Sequence, residues 1–106
     1  MTWMPVTEAT LDVIVAHDLA NCSDDLRAYY ARVAVPPTKW TQHSYGAEGA
    51  GFWVVAVEGD RVLWYNDIEE GFNVSRFREW GIIPDDQYWC NQDELEFALH
   101  RLRARL

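Results

Sequence analysis

The sequence predicts a small α+β domain: two N-terminal helices, a three-stranded antiparallel β-sheet and a C-terminal helix packed on the sheet. Three observations support this class. The 106 residues suffice for one domain, residues 1–106. Hydrophobic residues make up 49% of the chain and charged residues 25%, an ordinary globular composition. The spacing of apolar residues changes along the chain from a helical period to strand alternation and back to a helical period.

The first two elements are predicted to be helices. From Glu8 to Ala20, apolar residues recur at intervals of three and four, with Thr7 as the N-cap. Asn21 is expected to close this helix in a left-handed conformation. The second helix is expected to follow Ser23 as its N-cap and to end before Pro36–Pro37, because proline cannot continue a helix.

Three strands are expected to follow a loop over residues 38–51. Phe52–Glu58 and Arg61–Asn66 are rich in aromatic and β-branched residues and are separated by a short glycine-containing turn. This pattern predicts a β-hairpin. The third strand is predicted to run from Phe72 to about Phe77, after the acidic loop at 67–71.

The last predicted element is the C-terminal helix. Asn91 is the expected N-cap, and Glu94 three residues later completes a capping-box spacing. Cys90 before the cap and Leu95 after it match a hydrophobic staple, which predicts a structural cysteine packed beneath the helix.

The hairpin strands are apolar on both of their faces, whereas a sheet covered on one side alternates between apolar and polar residues. Two alternatives follow. Helices cover both faces, which the composition favours, or one face presents exposed aromatic side chains such as Trp64. Exposed aromatics would mark a binding surface, because tryptophan and tyrosine dominate the energetics of protein interfaces.

Charge and targeting features exclude several classes of protein. The net charge of −8 argues against nucleic-acid binding, which needs a basic face. The longest apolar run, Phe52 to Val57, is far too short to span a membrane, and the N-terminus does not resemble a secretory signal. Cys22 and Cys90 fit no metal-binding or redox spacing, so no cofactor is expected. These features predict a soluble cytoplasmic protein.

Two segments deserve consideration as chemical sites. The glycine-rich stretch at 46–51 precedes a strand and contains Glu48, so it does not fit a phosphate-binding loop, which opens a helix. The carboxylates of Asp67, Glu69 and Glu70 fall within one short connection. They could serve a metal-dependent or acid–base hydrolase, with His43 or Cys90 supplying a further group.

The hypothesis favoured by the sequence is a non-catalytic protein-binding domain with a basic protein as partner. Aromatic residues interleave the acidic stretch, and such anchors rimmed by carboxylates suit a basic surface. In size, acidity and aromatic content the chain resembles immunity proteins of bacterial toxin systems, but no motif carries this resemblance. A metal-dependent or acid–base hydrolase and a structural homo-oligomer, such as a homodimer, remain the alternatives. The predicted contact residues are Trp64, Asp67, Glu69, Glu70 and Phe72, with Tyr45 and Glu48 as a second contact loop.

Overall fold

The computed structural model describes residues 4–46 and 50–104 and confirms the broad α+β class. Within them no helix is long and apolar enough to cross a membrane. The sheet has four antiparallel strands in the order β1-β2-β3-β4, so the prediction of three strands is wrong. The elements in chain order are α1 Glu8–Ala20, α2 Asp24–Val33, β1 Ala34–Trp40, β2 Phe52–Glu58, β3 Arg61–Asn66, β4 Gly71–Arg76, a short 3₁₀ helix Asp85–Gln87 and α3 Leu95–Ala104.

The additional strand, β1, occupies part of the segment predicted to be a loop. Pro36 and Pro37 do end α2, as expected, but the chain continues directly into β1 and pairs with β2. Proline lacks the N–H group that a central strand needs, yet an edge strand tolerates it. The pairing is irregular between Ala34 and Thr38, where the two prolines lie.

The three helices pack on one face of the sheet, as predicted for α3. Leu11 of α1, Leu26 of α2 and Leu99 of α3 belong to one buried cluster with Leu63 and Phe72 from the sheet. Burial of apolar surface of this kind is the main driving force for folding. The helix layer therefore accounts for one of the two apolar faces of the hairpin.

The opposite face of the sheet is covered by irregular chain rather than by helices. Trp40, Trp64 and Ile83 are buried in a second cluster, against which Phe77 and Tyr88 pack. The segment that follows β4 returns across this face, and the Thr41–Ile82 bridge attaches it beyond the end of β1. Both faces are therefore buried, although neither sequence-based alternative anticipated an irregular cover.

The ends of the first two helices show which of the predicted capping residues do cap a helix. The Thr7 hydroxyl accepts a hydrogen bond from the Thr10 N–H group and the Ser23 hydroxyl accepts one from Leu26, which confirms both N-caps. Asn21 closes α1, but with a right-handed backbone, so the left-handed prediction is wrong.

The predicted start of α3 is also wrong, because the helix begins at Leu95 rather than after Asn91. The Leu95 N–H group donates to Oδ2 of Asp18 at 3.1 Å, so the cap is supplied by α1. Cys90 is exposed, whereas Leu95 is fully buried, and the predicted staple is therefore absent. The exposed thiol of Cys90 does not have the packed structural role expected from the sequence.

Candidate functional site

The connection between β3 and β4 is organised by Asn66, a fully buried residue that is not among the predicted contact residues. Its Oδ1 atom accepts hydrogen bonds from the N–H groups of Ile68 and Glu69, at 3.1 and 3.2 Å. Its Nδ2 atom donates to the Tyr88 hydroxyl at 3.0 Å and to the Trp89 carbonyl at 3.1 Å. This single side chain therefore joins the acidic turn to the aromatic segment at 88–89.

The three carboxylates of the turn have different neighbours. Asp67 accepts a hydrogen bond from Val6 at 2.8 Å. The Glu69 charge acts on the Tyr88 hydroxyl, and the Glu70 charge acts on the Tyr65 hydroxyl. The Asp67 charge also acts on the Tyr65 hydroxyl, so the charges of the turn are divided between two tyrosine hydroxyls.

Asp67 has a structural role in addition to its predicted place in a binding surface. The Val6 backbone is held by Asp67 Oδ2 and by Trp53, whose Nε1 donates to the Val6 carbonyl at 2.9 Å. Burial raises the pKa of Asp67, and the Val6 hydrogen bond opposes this effect. Asp67 therefore holds the backbone at Val6, just before α1, against the β3–β4 turn.

Two of the predicted contact side chains cannot belong to an exposed surface. Trp64 is 0% exposed and Phe72 is 1% exposed. The Trp64 Nε1 atom donates to the Ser75 hydroxyl at 2.9 Å, and its ring packs on Phe52 with centroids 4.8 Å apart. The alternation of β3 places Trp64 inward, beneath the irregular cover, so the exposure assumed for it is wrong.

Tyr45, by contrast, is exposed and lies next to the acidic turn. It retains 55% of its accessible surface and stacks on Tyr88 with ring centroids 4.1 Å apart and an interplanar angle of 18°. Because Tyr88 also contacts Asn66, the predicted second contact loop approaches the predicted first one. Glu48 lies outside the described residues.

An additional aromatic residue extends this region. Trp89 is 40% exposed, and its Nε1 atom donates to the Val74 carbonyl at 2.8 Å, which orients the ring. We call the resulting region the turn surface. It comprises Tyr45, Ile68, Glu69, Glu70, Tyr88 and Trp89. Two of its aromatic residues, Tyr88 and Trp89, belong to the irregular segment after β4. The path of this segment over the sheet could not be inferred from the local sequence pattern.

The carboxylates of the turn surface are available for a partner. Within residues 4–46 and 50–104, Glu69 and Glu70 make no ion pair. Asp86 differs, since Arg78 bonds to it at 2.7 Å and holds its pKa below the usual range. Unpaired, partly exposed carboxylates beside aromatic rings can accept ammonium or guanidinium groups.

The geometry gives little support for the hydrolase alternative. Among the described residues, no group of three histidine, cysteine, aspartate or glutamate side chains is arranged to hold a metal ion. His43 is exposed and lines a pocket of about 320 Å³, but the described lining includes neither a carboxylate nor a thiol. His43 therefore has no carboxylate or thiol beside it among the described residues of that pocket. Cys90 lies instead against the Tyr88 hydroxyl, on which the Glu69 charge also acts.

Comparison with known proteins provides no functional assignment: no family model, curated protein or solved structure matches the chain.

Proposed function

We propose that this protein is a non-catalytic binding domain whose turn surface recognises a basic protein partner. The observation that carries the proposal is the juxtaposition of the stacked pair Tyr45–Tyr88 with Glu69, since the Asn66 side chain bonds both the Tyr88 hydroxyl and the Glu69 N–H group. Glu70 follows in the same turn, and neither glutamate makes an ion pair with a described residue. Asn66 holds these parts together from the buried side.

The composition of the turn surface suits protein recognition. Tyr45 and Trp89 provide large apolar areas with few rotatable bonds, which lowers the entropy lost on binding. The carboxylates provide directional acceptors for lysine and arginine, and aromatic faces also attract these cations. A basic partner would meet both kinds of contact at once.

The turn surface is also held in shape before binding. Both ends of the Asn66 amide are hydrogen-bonded, and the Tyr45 ring rests on Tyr88. A surface that is already ordered loses less conformational entropy on binding, so more of the contact energy appears as affinity. This local order favours binding over a purely solvated acidic turn.

Affinity capture from the cells that produce the protein would test this proposal. The bait is compared with a Glu69→Lys/Glu70→Lys variant and with a control, Asp12→Lys/Asp60→Lys, that changes the net charge equally at exposed positions elsewhere. We expect the first variant to lose about tenfold or more of its affinity for the captured partner, equivalent to about 1.4 kcal/mol, and the control to lose much less.

The captured partner should then be purified and its affinity measured by calorimetry with each variant. Equal affinity for the wild type and the Glu69→Lys/Glu70→Lys variant, with unchanged melting temperatures, would refute a role for the turn surface. An inhibitor of the immunity type is one form of the proposed function. In that case the partner is an enzyme whose activity falls in proportion to the complex formed.

A further inference from the structure

A small acidic pocket lies on the helix side of the β3–β4 turn, next to the turn surface. It has a volume of about 170 Å³, below the roughly 300–1,000 Å³ of pockets that enclose a drug-sized ligand. Its size therefore suits the end of a single side chain. The described lining residues are Ile14, Asp18, Tyr65, Glu70, Gly71, Phe72, Gln92, Asp93 and Glu94.

The charge of the lining is strongly unbalanced. Four of the described lining residues are acidic and none is lysine or arginine. Asp93 is paired with Arg101 at 2.5 Å, and Asp18 accepts the hydrogen bond of Leu95. Glu70 and Glu94 are exposed and make no ion pair with any described residue.

Tyr65 provides an independent indication of a ligand. The residue is only 7% exposed, yet its hydroxyl makes no hydrogen bond with any described residue. Burial raises the pKa of Tyr65, and the charges of Glu70 and Asp18, which line the pocket, raise it further. Tyr65 lines the pocket and its hydroxyl still contacts solvent, so a ligand or a water molecule can complete its hydrogen bond there.

We propose that this pocket binds the guanidinium group of an arginine side chain, and that this arginine belongs to the basic partner on which the proposed function rests. A guanidinium group presents five N–H donors in a planar fork. It can therefore bond to Glu70 and to the Tyr65 hydroxyl together, and the exposed Glu94 adds a further negative charge to the lining. Ile14 and Phe72 provide apolar surface for the methylene groups of the arginine stem.

A metal ion fits this pocket less well than an arginine side chain. A divalent ion needs several oxygen ligands within about 2.0–2.6 Å. No three carboxylates among the described residues are arranged in this way. The broader guanidinium group can contact acceptors that are spread around the pocket, and this difference in size favours an organic cation.

The pocket is held rigidly on its β4 side. A Cβ atom placed on Gly71 would lie 2.3 Å from the Cα atom of Gln92, so the two backbones are in direct contact. The adjacent Phe72 N–H group donates to the Asp93 carbonyl at 2.8 Å. Both walls are therefore fixed before binding, as a selective site requires.

The test is a titration of the ¹⁵N-labelled protein with arginine blocked at both backbone ends, followed by NMR. Citrulline blocked in the same way has nearly the same shape without the charge. We expect blocked arginine to shift the amide signals of Gly71, Phe72 and Leu95 in a saturable manner, whereas blocked citrulline shifts them at least tenfold less at the same concentration.

Two substitutions connect the signal to the pocket. Glu70→Gln removes one charge and Tyr65→Phe removes only the hydroxyl, and each should weaken the binding of blocked arginine by about three- to tenfold, corresponding to loss of about one hydrogen bond. Asp60→Asn is the control, because it removes one exposed charge at the far hairpin turn. It should leave the arginine affinity unchanged.

Equal shifts with arginine and citrulline, or undiminished arginine binding by Glu70→Gln and Tyr65→Phe, would overturn the arginine pocket. Neither result depends on having a partner, so the capture experiment on the turn surface would be unaffected. Conversely, arginine binding without capture of any partner that is sensitive to Glu69→Lys/Glu70→Lys would leave the pocket intact and refute the proposed function.

Discussion

Asp18 shows how one side chain can connect two helices that lie far apart in sequence. It belongs to α1, yet its Oδ2 atom accepts the hydrogen bond of Leu95 N–H at the start of α3. The first N–H groups of a helix have no partner within the helix, and a carboxylate there also complements the helix dipole.

Replacement of Asp18 by alanine should therefore destabilise the protein by about 1–2 kcal/mol, as expected for loss of an N-cap. Asp18→Asn retains an acceptor and should cost less. Urea unfolding followed by circular dichroism measures both effects, and His17→Ala is the control because His17 is exposed and contacts Asp18 from the solvent side. Equal stability of Asp18→Ala and wild type would contradict the capping role.

Asp67 makes stability depend on pH in a direction opposite to that of most carboxylates. Burial raises its pKa in the folded protein above the ordinary value of 3.8. The folded state therefore favours the protonated form. The stabilisation from this preference is complete below the unfolded pKa and is lost as the pH rises through the folded pKa.

Asp67→Asn mimics the protonated carboxyl group and retains an acceptor for the Val6 N–H group. Relative to wild type, the variant should gain stability as the pH rises from about 4 to 7, because only the wild type then buries a charge. Urea unfolding of both proteins across this range measures the difference. A variant that loses stability relative to wild type with rising pH would contradict the sign.

The residues of the site were predicted unevenly from the sequence. Glu69 and Glu70 lie in one turn, as predicted, because charge and turn composition are local properties. Tyr45 is connected to this turn through its stacking on Tyr88, which is a long-range contact. Burial of Trp64 was the favoured one of two alternatives, but the sequence did not decide between them, since the alternation of β3 gives two faces and does not say what covers each one. The organising role of Asn66 was not predicted, because it comes from contacts with residues 22 and 23 positions away.

At the level of elements, locally encoded structure was predicted and structure that depends on distant chain was not. The hairpin of β2 and β3 matches its predicted bounds, because strand alternation and the intervening turn are contained in one short segment. The two N-caps are local in the same sense. The start of α3 depends on Asp18, and β1 depends on pairing with β2, so neither could be read from its own segment.

The two sheet edges are protected in different ways. On β4, the Gln87 Oε1 atom accepts the hydrogen bond of Arg76 N–H at 3.0 Å, and Trp89 Nε1 donates to the Val74 carbonyl. The β1 edge instead contains Pro36 and Pro37, which remove backbone donors. Unprotected edges pair readily with other chains.

Restoring backbone donors to β1 should therefore promote self-association. At the same protein concentration, we expect a Pro36→Thr/Pro37→Thr variant to have a larger sedimentation coefficient than the wild type. The control is Thr38→Val, which changes an exposed β1 side chain without altering the backbone. Sedimentation velocity would contradict the edge-protection argument if the proline variant and wild type behaved identically.

For the molecule as a whole, the irregular segment 77–94 has two roles. It covers the second apolar face of the sheet through Ile83 and Tyr88, which removes the need for another helix layer. It also carries five acidic residues and one arginine, so it adds negative charge beside the turn surface. Covering the core and forming the proposed binding face are thus coupled in one stretch of chain.

The net charge of −8 should govern the rate at which the proposed basic partner associates, whereas local contacts should govern how long it stays bound. The Debye length, beyond which interactions between exposed charges are largely screened, is about 30 Å at 0.01 M ionic strength and about 3 Å at 1 M. We expect the association rate constant to fall by about tenfold or more over that range, with a smaller change in the dissociation rate constant.

Surface plasmon resonance with charge-neutralised variants would separate the two contributions. Asp12→Asn/Asp60→Asn changes exposed charges of α1 and of the β2–β3 turn, and should slow association slightly and leave dissociation unchanged. Glu69→Gln/Glu70→Gln removes the same charge and should accelerate dissociation severalfold, because these carboxylates would contact the partner directly. Identical dissociation rates for the two variants would mean that the acidic turn contributes only to the long-range field, and the partner would then have to contact another part of the molecule.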